Sequence, residues 1–440
     1  MPELVPQNTK SWGRLAASQH LSAFPYAFGD LPKIFSDQHR YLPFGLGRSY
    51  GDSCLNSGGV LIQNRGLNRL LAFDRQKGVI TCEAGVSLAE LLEIIVPAGW
   101  FLPVTPGTKF VTVGGAIAND VHGKNHHVRG TFGQHVLQLE LLRSNGDLIA
   151  CSPRENQPMF AATIGGLGLT GFIRAASIQL IPIVSPFIRQ ESIRFHNLDE
   201  YLELADESDQ QFEYTVAWSD CMSGDLGRGI LYRGYHDPEP ATQELAEAQL
   251  LPAILPIPFD APGFVMSSLS MKIFNEVYFR KQSSGNKQSR VHFDPFFYPL
   301  DRLTQWNRLY GPKGFYQYQL VIPFSELEAL REIFAAIRKS GLGTSLVVFK
   351  RFADRPSPGL LSFPREGYTL ALDFANRGRK TLRLFDELDQ IVFAVGGRLY
   401  PAKDACMSAN HFQLSYPNFR EFSQYVDPQF SSDFWQRVTA

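Results

Sequence analysis

Residues 105–133 read TPGTKFVTVGGAIANDVHGKNHHVRGTFG. Gly114, Gly115, Ala116 and Ala118 leave the backbone bare, so a bulky ligand can lie directly against the main chain. His122, Lys124, His126 and His127 follow and bring proton-handling and cationic groups to the end of that surface. The combination suits a large planar or phosphorylated ligand held against a reactive polar cluster. Pro106-Gly107-Thr108 reads as a tight turn beside a phosphate, and Thr112-Val113-Gly114-Gly115 continues it. A metal held by the histidines and Asp120 is the weaker alternative, because no HExxH motif or cysteine cluster supplies the remaining ligands. His126 and His127 are expected to be scaffold.

A second glycine-rich loop lies upstream, PFGLGRSYGDS at 43–53. Successive main-chain N–H groups in such a loop form an anion-binding nest, and Arg48 or Ser49 can add donors. Its spacing is GxGxxxG, and the following DSCLNSGGVLI has no helical period, so the strand-to-helix context of a dinucleotide fingerprint is missing. A plain glycine turn remains open at this point. GGLGLTGFI (165–173) offers further backbone donors before a strand. GGRLYPAKD (396–404) carries Lys403, a surface charge by default and a substrate clamp or base as the alternative.

The frame around these loops is set by size and composition. A length of 440 residues favours two domains over one. Apolar content of 44% and charged content of 19% fit a soluble globular protein with a sizeable core. A net charge of -1 gives no electrostatic case for nucleic acid. Cys54, Cys82, Cys151, Cys221 and Cys406 are scattered and odd in number, which fits a reducing compartment without a disulfide framework. MPELVPQNTKSWGRL has no cationic start followed by an apolar run, so no secretory signal is expected and the cytoplasm is the expected location. Leu250–Met266 is apolar but interrupted by Pro252, Pro256, Pro258 and Pro262; it reads as a loop, either capping a core or acting as a flap over a site or a lipid. Lys281–Arg290 (KQSSGNKQSR) is polar, without period, and expected to be mobile.

Up to about Ile181, short β-like runs alternate with turns. Asn145-Gly146-Asp147 reads as a hairpin, and Ser87 with Glu90 as the capping box of a helix over SLAELLEIIV. Beyond Pro182 come aromatic-rich strands (QESIRFHN, QFEYTVAWSD, GRGILYRGYH, SRVHFDPFFYPL, GFYQYQLVIPF, TSLVVFKRF, GYTLALDFAN). Helices are expected over Ser325–Ser340, capped by its serine, and Thr381–Val395. The fold class that follows is α+β.

GLGRSYGDS, PGTKFVTVGGAIANDVHGKNHH, GTFGQHV and GGLGLTGFI together resemble the FAD-binding half of the vanillyl-alcohol-oxidase superfamily, with its PCMH-type FAD-binding domain. More narrowly, LGRGILYRG, FFYPLDRLTQWNRLYG, GFYQYQLVIP and GGRLYPAKD resemble the family of decaprenylphosphoryl-β-D-ribose 2′-oxidases. The resemblance implies a two-domain α+β flavoprotein. Its FAD-binding domain would span 1–183, completed by 398–440, and its substrate domain, built on an antiparallel sheet, 184–397. FAD would contact Pro43, Gly45, Gly47, Arg48, Ser49, Tyr50, Gly51, Asp52, Ser53, Gly107, Thr112, Val113, Gly114, Gly115, Asn119, His122, Ile173 and Tyr400. Arg48 stands where superfamily members with covalent FAD often carry a histidine, which implies non-covalent FAD.

The same resemblance implies oxidation of a secondary sugar hydroxyl to a ketone. The substrate would be the 2′-hydroxyl of a polyprenyl-phosphate-linked ribose, in the first half of an epimerisation to arabinose completed by a short-chain dehydrogenase/reductase. Lys403 is the implied active-site lysine, with His122, Lys124 and Tyr50 beside it and Gln317, Gln319, Lys350 and Asp373 around the substrate. A lipid-linked substrate further implies peripheral contact with the inner membrane. Ala371 replaces a cysteine that covalent nitro-aromatic inhibitors target in the family, and Val347 and Thr369 replace more polar residues. A soluble sugar or alditol oxidised at the expense of oxygen, and a non-catalytic flavin-fold binding protein, are the competing readings.

Overall fold

Strands such as YTVAWS and GYTLALDFA place apolar residues on both faces, so each face must be covered by something. The structure, a computed structural model, describes residues 3–15, 17–222, 227–282, 285–344 and 347–440. Leu226, Ser283, Ser284, Ser345 and Leu346, which belong to motifs quoted above, lie outside the described residues.

Three main sheets organise the chain. The first joins β1 (Val5–Lys10), β2 (Ala17–Ala23), β3 (Tyr41–Phe44) and β4 (Val60–Gln63) in the order β1-β2-β4-β3. The second is antiparallel, with β5 (Leu70–Asp74), β6 (Val79–Glu83), β7 (Val136–Leu142), β8 (Leu148–Cys151) and β9 (Phe172–Gln179) in the order β5-β6-β9-β7-β8. The turn between β7 and β8 is the Asn145-Gly146-Asp147 hairpin, with Gly146 at φ 89°. α1 (Leu88–Ile95) begins with the capping box: Ser87 Oγ accepts from Glu90 N–H, and the Glu90 carboxylate accepts from Ser87 N–H at 2.7 Å. α2 (Val113–Ala118) is capped by Thr112, whose Oγ1 accepts from Gly115 N–H.

The third sheet comprises β10 (Phe187–Phe195), β11 (Tyr214–Ser219), β12 (Gly229–His236), β13 (Asn286–His292), β14 (Phe315–Ile322), β15 (Val347–Phe352), β16 (Gly367–Ala375) and β17 (Arg398–Leu399). It is antiparallel throughout, in the order β13-β10-β12-β11-β15-β16-β14-β17. One face carries Ala217, Leu231, Phe349, Leu370, Leu372 and Leu320. It packs in a single apolar cluster with residues of α3 (Leu198–Gln211), α5 (Leu327–Ser340) and α6 (Arg379–Ala394). Each such fully buried Leu or Phe contributes roughly 1.5–3 kcal/mol, so this face anchors the sheet. The register leaves the opposite face for the cavity described below.

Three expectations are corrected. Asn286–Arg290, expected to be mobile, lies within β13, paired along its length with β10; an edge strand needs no apolar period when only one neighbour covers it. SRVHFDPFFYPL is strand only to His292, because Phe293–Phe297 turns into a short helix that buries Phe293, Phe296 and Phe297. Ser325 does not cap α5: Glu326 occupies that position without a side-chain bond to the helix. Leu250–Met266 is mostly irregular, as its prolines require, apart from a two-residue strand at Leu255–Pro256. A further helix, α4 (Ser268–Lys281), follows it, beginning on the Ser267 side chain. Among the described residues no helix is long and apolar enough to cross a membrane.

Candidate active site

Small residues bring the two glycine-rich loops together. A Cβ on Gly45 would lie 2.6 Å from Thr112 Oγ1, so the 43–53 loop can rest on the α2 cap only as glycine. The loops form one wall of a cavity of about 1020 Å³. Ligand pockets commonly measure roughly 300–1,000 Å³, so the space admits a large cofactor together with part of a second molecule. The opposite wall is the free face of the third sheet. Cross-strand pairs Gln317↔Asp373, Gln319↔Ala371, Ala371↔Val348, Val348↔Trp218 and Val216↔Tyr232 put their side chains on that side. Gln317, Gln319, Ala371, Val348, Lys350, Trp218, Val216 and Tyr232 accordingly line the cavity.

Most of the expected cofactor residues are on the wall: Pro43, Gly45, Gly47, Arg48, Ser49, Tyr50, Ser53, Gly107, Thr112, Gly114, Gly115, Asn119, His122, Ile173 and Tyr400. Four expected site residues are not, each for a packing reason. A Cβ on Gly51 would stand 1.5 Å from the Asp404 carbonyl oxygen, so this glycine serves a backbone crossing. Asp52 turns away to a bidentate pair with Arg437. Val113 is fully buried in the core beside the second sheet. Asp373 lies behind the wall, accepting from Gln317 Nε2 at 2.6 Å and from Tyr310 Oη at 3.4 Å.

The reactive end is a connected set of side chains. Lys403 Nζ sits 3.8 Å from the centre of the Tyr50 ring. Lys350 Nζ donates to Gly123 O and contacts His122 Nδ1, each at 3.2 Å. His122 Nε2 lies 2.9 Å from the Gln319 amide. The amide atom at that distance is Gln319 Nε2; a neutral imidazole donates at one nitrogen and accepts at the other, so its tautomer sets the direction of both contacts. The His122 ring is held between Phe352, Phe363 and Tyr400, with centroids 4.8, 5.9 and 5.6 Å away. Tyr400 Oη donates to Asn119 O at 2.7 Å, which ties the C-terminal segment to the end of α2.

Burial governs the charges here. It pulls the Lys403 ammonium down to about 7 against the opposing pull of Asp373, and Lys350 likewise to about 7. Burial, reinforced by Lys350, holds His122 well below its ordinary value and therefore neutral. Asp373 is pushed up to about 7 by burial, with Gln317 and Lys403 opposing. Lys124 lines the cavity and is also lowered to about 7 by burial, but its Nζ donates to Phe296 O and stacks on the Phe296 ring at 4.4 Å. Its ammonium is thus committed to positioning the 295–300 segment. His126 and His127 are scaffold: His126 packs against Phe352, and His127 Nε2 bonds to Phe212 O.

The sequence reading missed several wall residues. Trp12 stacks on the Arg48 guanidinium at 3.9 Å, and Arg48 Nε donates to Phe110 O. Asn64 also lines the cavity, as do Pro295–Phe297, Pro299–Leu300 and Trp306, whereas Leu167 and Gly168 belong to the GGLGLTGFI motif already singled out. Nothing in a lone Asn or Trp signals a site. Within FFYPLDRLTQW only the likeness to the family points to a site.

The donor set fits FAD. Among the described residues, Ser53 Oγ and Asn64 Oδ1 line the cavity, are buried and have no protein hydrogen-bond partner, so a ligand with polar groups completes them. The glycine walls of both loops admit a backbone-hugging ligand, and aromatic and aliphatic side chains line the space between them. Residues 34–152 match the FAD binding domain family. Over 417 residues, 90% of this chain and 88% of the relative, the sequence is 38% identical to the decaprenylphosphoryl-β-D-ribose oxidase of Mycolicibacterium smegmatis. The chain belongs to the decaprenylphosphoryl-β-D-ribose oxidase family. An uncharacterized protein in the mprA 5′ region of Streptomyces coelicolor is 32% identical over 80% of this chain and its own full length. L-gulonolactone oxidase of Bos taurus is 31% identical over 39% of this chain and 38% of its own. Membership makes the chain an FAD-dependent oxidoreductase of α+β architecture and sets aside the reading as a non-catalytic binding protein.

Proposed function

We propose that the chain oxidises the 2′-hydroxyl of a polyprenyl-phosphate-linked ribose to a ketone, the first half of an epimerisation to arabinose that a short-chain dehydrogenase/reductase completes. The observation that carries this reading is the meeting of Lys403, Tyr50, His122 and Lys350 where the glycine loops face the third sheet. FAD, when bound, supplies the two-electron sink for the hydride that leaves the carbinol carbon. Lys403 receives the hydroxyl proton: an amine at about 7 is half unprotonated near neutrality and reprotonates readily. Tyr50 fixes that amine through its ring face. Gln319, with its amide set by His122, and Gln317, braced by Asp373, orient the sugar through hydrogen bonds. Lys350 holds the His122 ring in place through its contact with Nδ1.

FAD is held non-covalently on this reading. Arg48, clamped between Trp12 and Phe110, takes the place of an attaching histidine. Both His122 nitrogens are engaged, and burial raises the Cys54 thiol to about 12, leaving it a poor nucleophile. The functional division is an FAD-binding domain of 1–183 completed by 398–440, and a substrate domain of 184–397; the Arg398–Leu399 strand stitches the two. The enzyme acts in the cytoplasm at the inner membrane, where its substrate resides. Ala371, with no thiol, leaves the redox step intact.

Anaerobic mixing with prenyl-phosphate ribose and, separately, with soluble sugars and alditols tests this. The proposal requires loss of the flavin colour with the lipid-linked sugar alone. Rapid peroxide production from a soluble alditol would overturn it.

A further inference from the structure

Exposed apolar residues are ordinary when scattered and informative when clustered. Of the twenty large apolar side chains exposed among the described residues, eight fall between Ile254 and Val277. Within α4 the pattern is regular. Met271, Asn275 and Phe279 face inward and are buried, while Leu269, Ile273 and Val277 stand outward at i, i+4 and i+8, 69%, 58% and 64% exposed. A surface helix normally gives its outward face to polar residues; this one is apolar on both sides. Phe259 and Phe264, 66% and 70% exposed, extend the patch along the preceding segment.

The charges around the patch are one-sided. Asp260 and Glu276 are the acids between Ile254 and Lys281, and both are neutralised: Asp260 by Arg14 and Arg308, Glu276 by Arg228 and Arg280. Lys272 and Lys281 are exposed and form no salt bridge among the described residues. Lys281 ends the 269–273–277 stripe, one further i+4 step along.

The patch is continuous with the cavity. Phe274, exposed on α4, also lines the cavity and stacks on Tyr278 at 5.9 Å. Tyr278 in turn meets Trp218 edge-on at 4.8 Å and shares a 2.9 Å hydroxyl contact with Tyr232, both on the sheet face. An aromatic path thus runs from the outer face of α4 to the wall that carries Gln319 and Lys350.

We propose that the outer face of α4, with the segment from Ile254 to Phe264, docks onto an anionic lipid bilayer and opens the cavity toward it. The proposal rests on the lipid-linked substrate argued above and locates the surface through which that substrate enters. Leu269, Ile273 and Val277 enter the apolar side of the interface, Lys272 and Lys281 meet lipid phosphates, and the Phe274–Tyr278–Trp218 path receives the prenyl chain. A protein partner would be better served by a polar rim of both signs; here both acids are already spent on arginines.

The test is sedimentation of the full-length, FAD-loaded protein with vesicles of phosphatidylcholine alone or mixed with phosphatidylglycerol. Binding is expected to the anionic vesicles and to weaken with salt. I273E/V277E is expected to reduce partition about 100-fold, and K272Q/K281Q roughly 25-fold at about fivefold per lysine. None of these side chains lines the cavity, so bleaching by a short-prenyl, water-soluble phosphoribose should persist in both variants. Three results would overturn the proposal: no vesicle binding, binding indifferent to the substitutions, or a dimer in light scattering that I273E/V277E dissociates. Vesicle binding without bleaching by either phosphoribose would retain this surface and discard the proposed substrate. Bleaching without vesicle binding would do the reverse.

Discussion

Replacing Lys403 with methionine removes the amine while retaining most of its volume. Three consequences can be worked from the structure. A general base positioned at the reacting hydroxyl is worth roughly 10²–10⁴ in rate, or about 2.7–5.4 kcal/mol of barrier at about 1.36 kcal/mol per tenfold. The cation over the Tyr50 ring at 3.8 Å is worth a further ~0.5–2 kcal/mol, felt in stability and not in the chemical step. A volume-conserving apolar swap costs less than about 1.5 kcal/mol, so the variant folds and stays yellow. With Lys403 at about 7, flavin reduction by the wild type should rise with pH through that value and level off above it, because the neutral amine is the active form. K403M should lack this limb. Removing the neighbouring ammonium should also move Asp373 further up from about 7. Anaerobic stopped-flow reduction across pH 6–9 reads all of this. A K403M rate within a few-fold of wild type, with the limb still in place, would refute the assignment and move it to Lys350.

Other parts of the account are open to simpler assays. The lysines at 124, 350 and 403 are each lowered from 10.5 to about 7 by burial, so between those values the unfolded chain binds more protons. Their contribution to stability therefore rises with pH across that window and is flat below it. Thermal melts of apoprotein should show K350M gaining more over wild type at pH 7 than at pH 10; an equal gain at both would contradict the burial argument. Gly51→Ala places a methyl 1.5 Å from the Asp404 carbonyl and should cost about 3 kcal/mol or more. Gly107→Ala meets nothing within 4 Å and should leave the apoprotein melt unchanged; equal melts for the two would undo the reassignment of Gly51. Ala371→Cys puts a thiol on the cavity wall, and it should be alkylated far faster than Cys54, whose thiol is raised to about 12, while turnover continues. Blocking of that alkylation by substrate would place the sugar beside β16.

The cofactor half was legible because its signal is compositional. Glycines and alanines at 45, 47, 107, 114, 115 and 118 exist to let something approach the backbone, and each of them lines the cavity. Gly51 and Val113 share those motifs but serve the crossing at Asp404 and the core, a distinction set by tertiary packing that no local motif encodes. The sheet half was less legible. Period-two alternation correctly puts Gln317, Gln319, Lys350, Ala371 and Asp373 on one face, yet Gln317 covers Asp373, so sharing a face does not mean sharing the cavity. The pairing of Asp52 with Arg437, 385 positions away, and the stacking of Trp12 on Arg48 are long-range events with no sequence signature. The α4 stripe is hidden for another reason: a helix apolar on both faces has a weak helical period.

On the proposed function, the Lys403 end of the cavity holds a lipid-linked sugar hydroxyl against the flavin. Anaerobic titration of the holoenzyme with prenyl-phosphate ribose, followed by the flavin's visible absorbance and by the mass of the sugar product, tests it directly. Stoichiometric bleaching and a product lighter by two hydrogens at a secondary carbinol are expected, both forming about 10²–10⁴-fold more slowly in K403M. A flavin that stays oxidised with this substrate, in a protein that binds FAD and melts cooperatively, would contradict it.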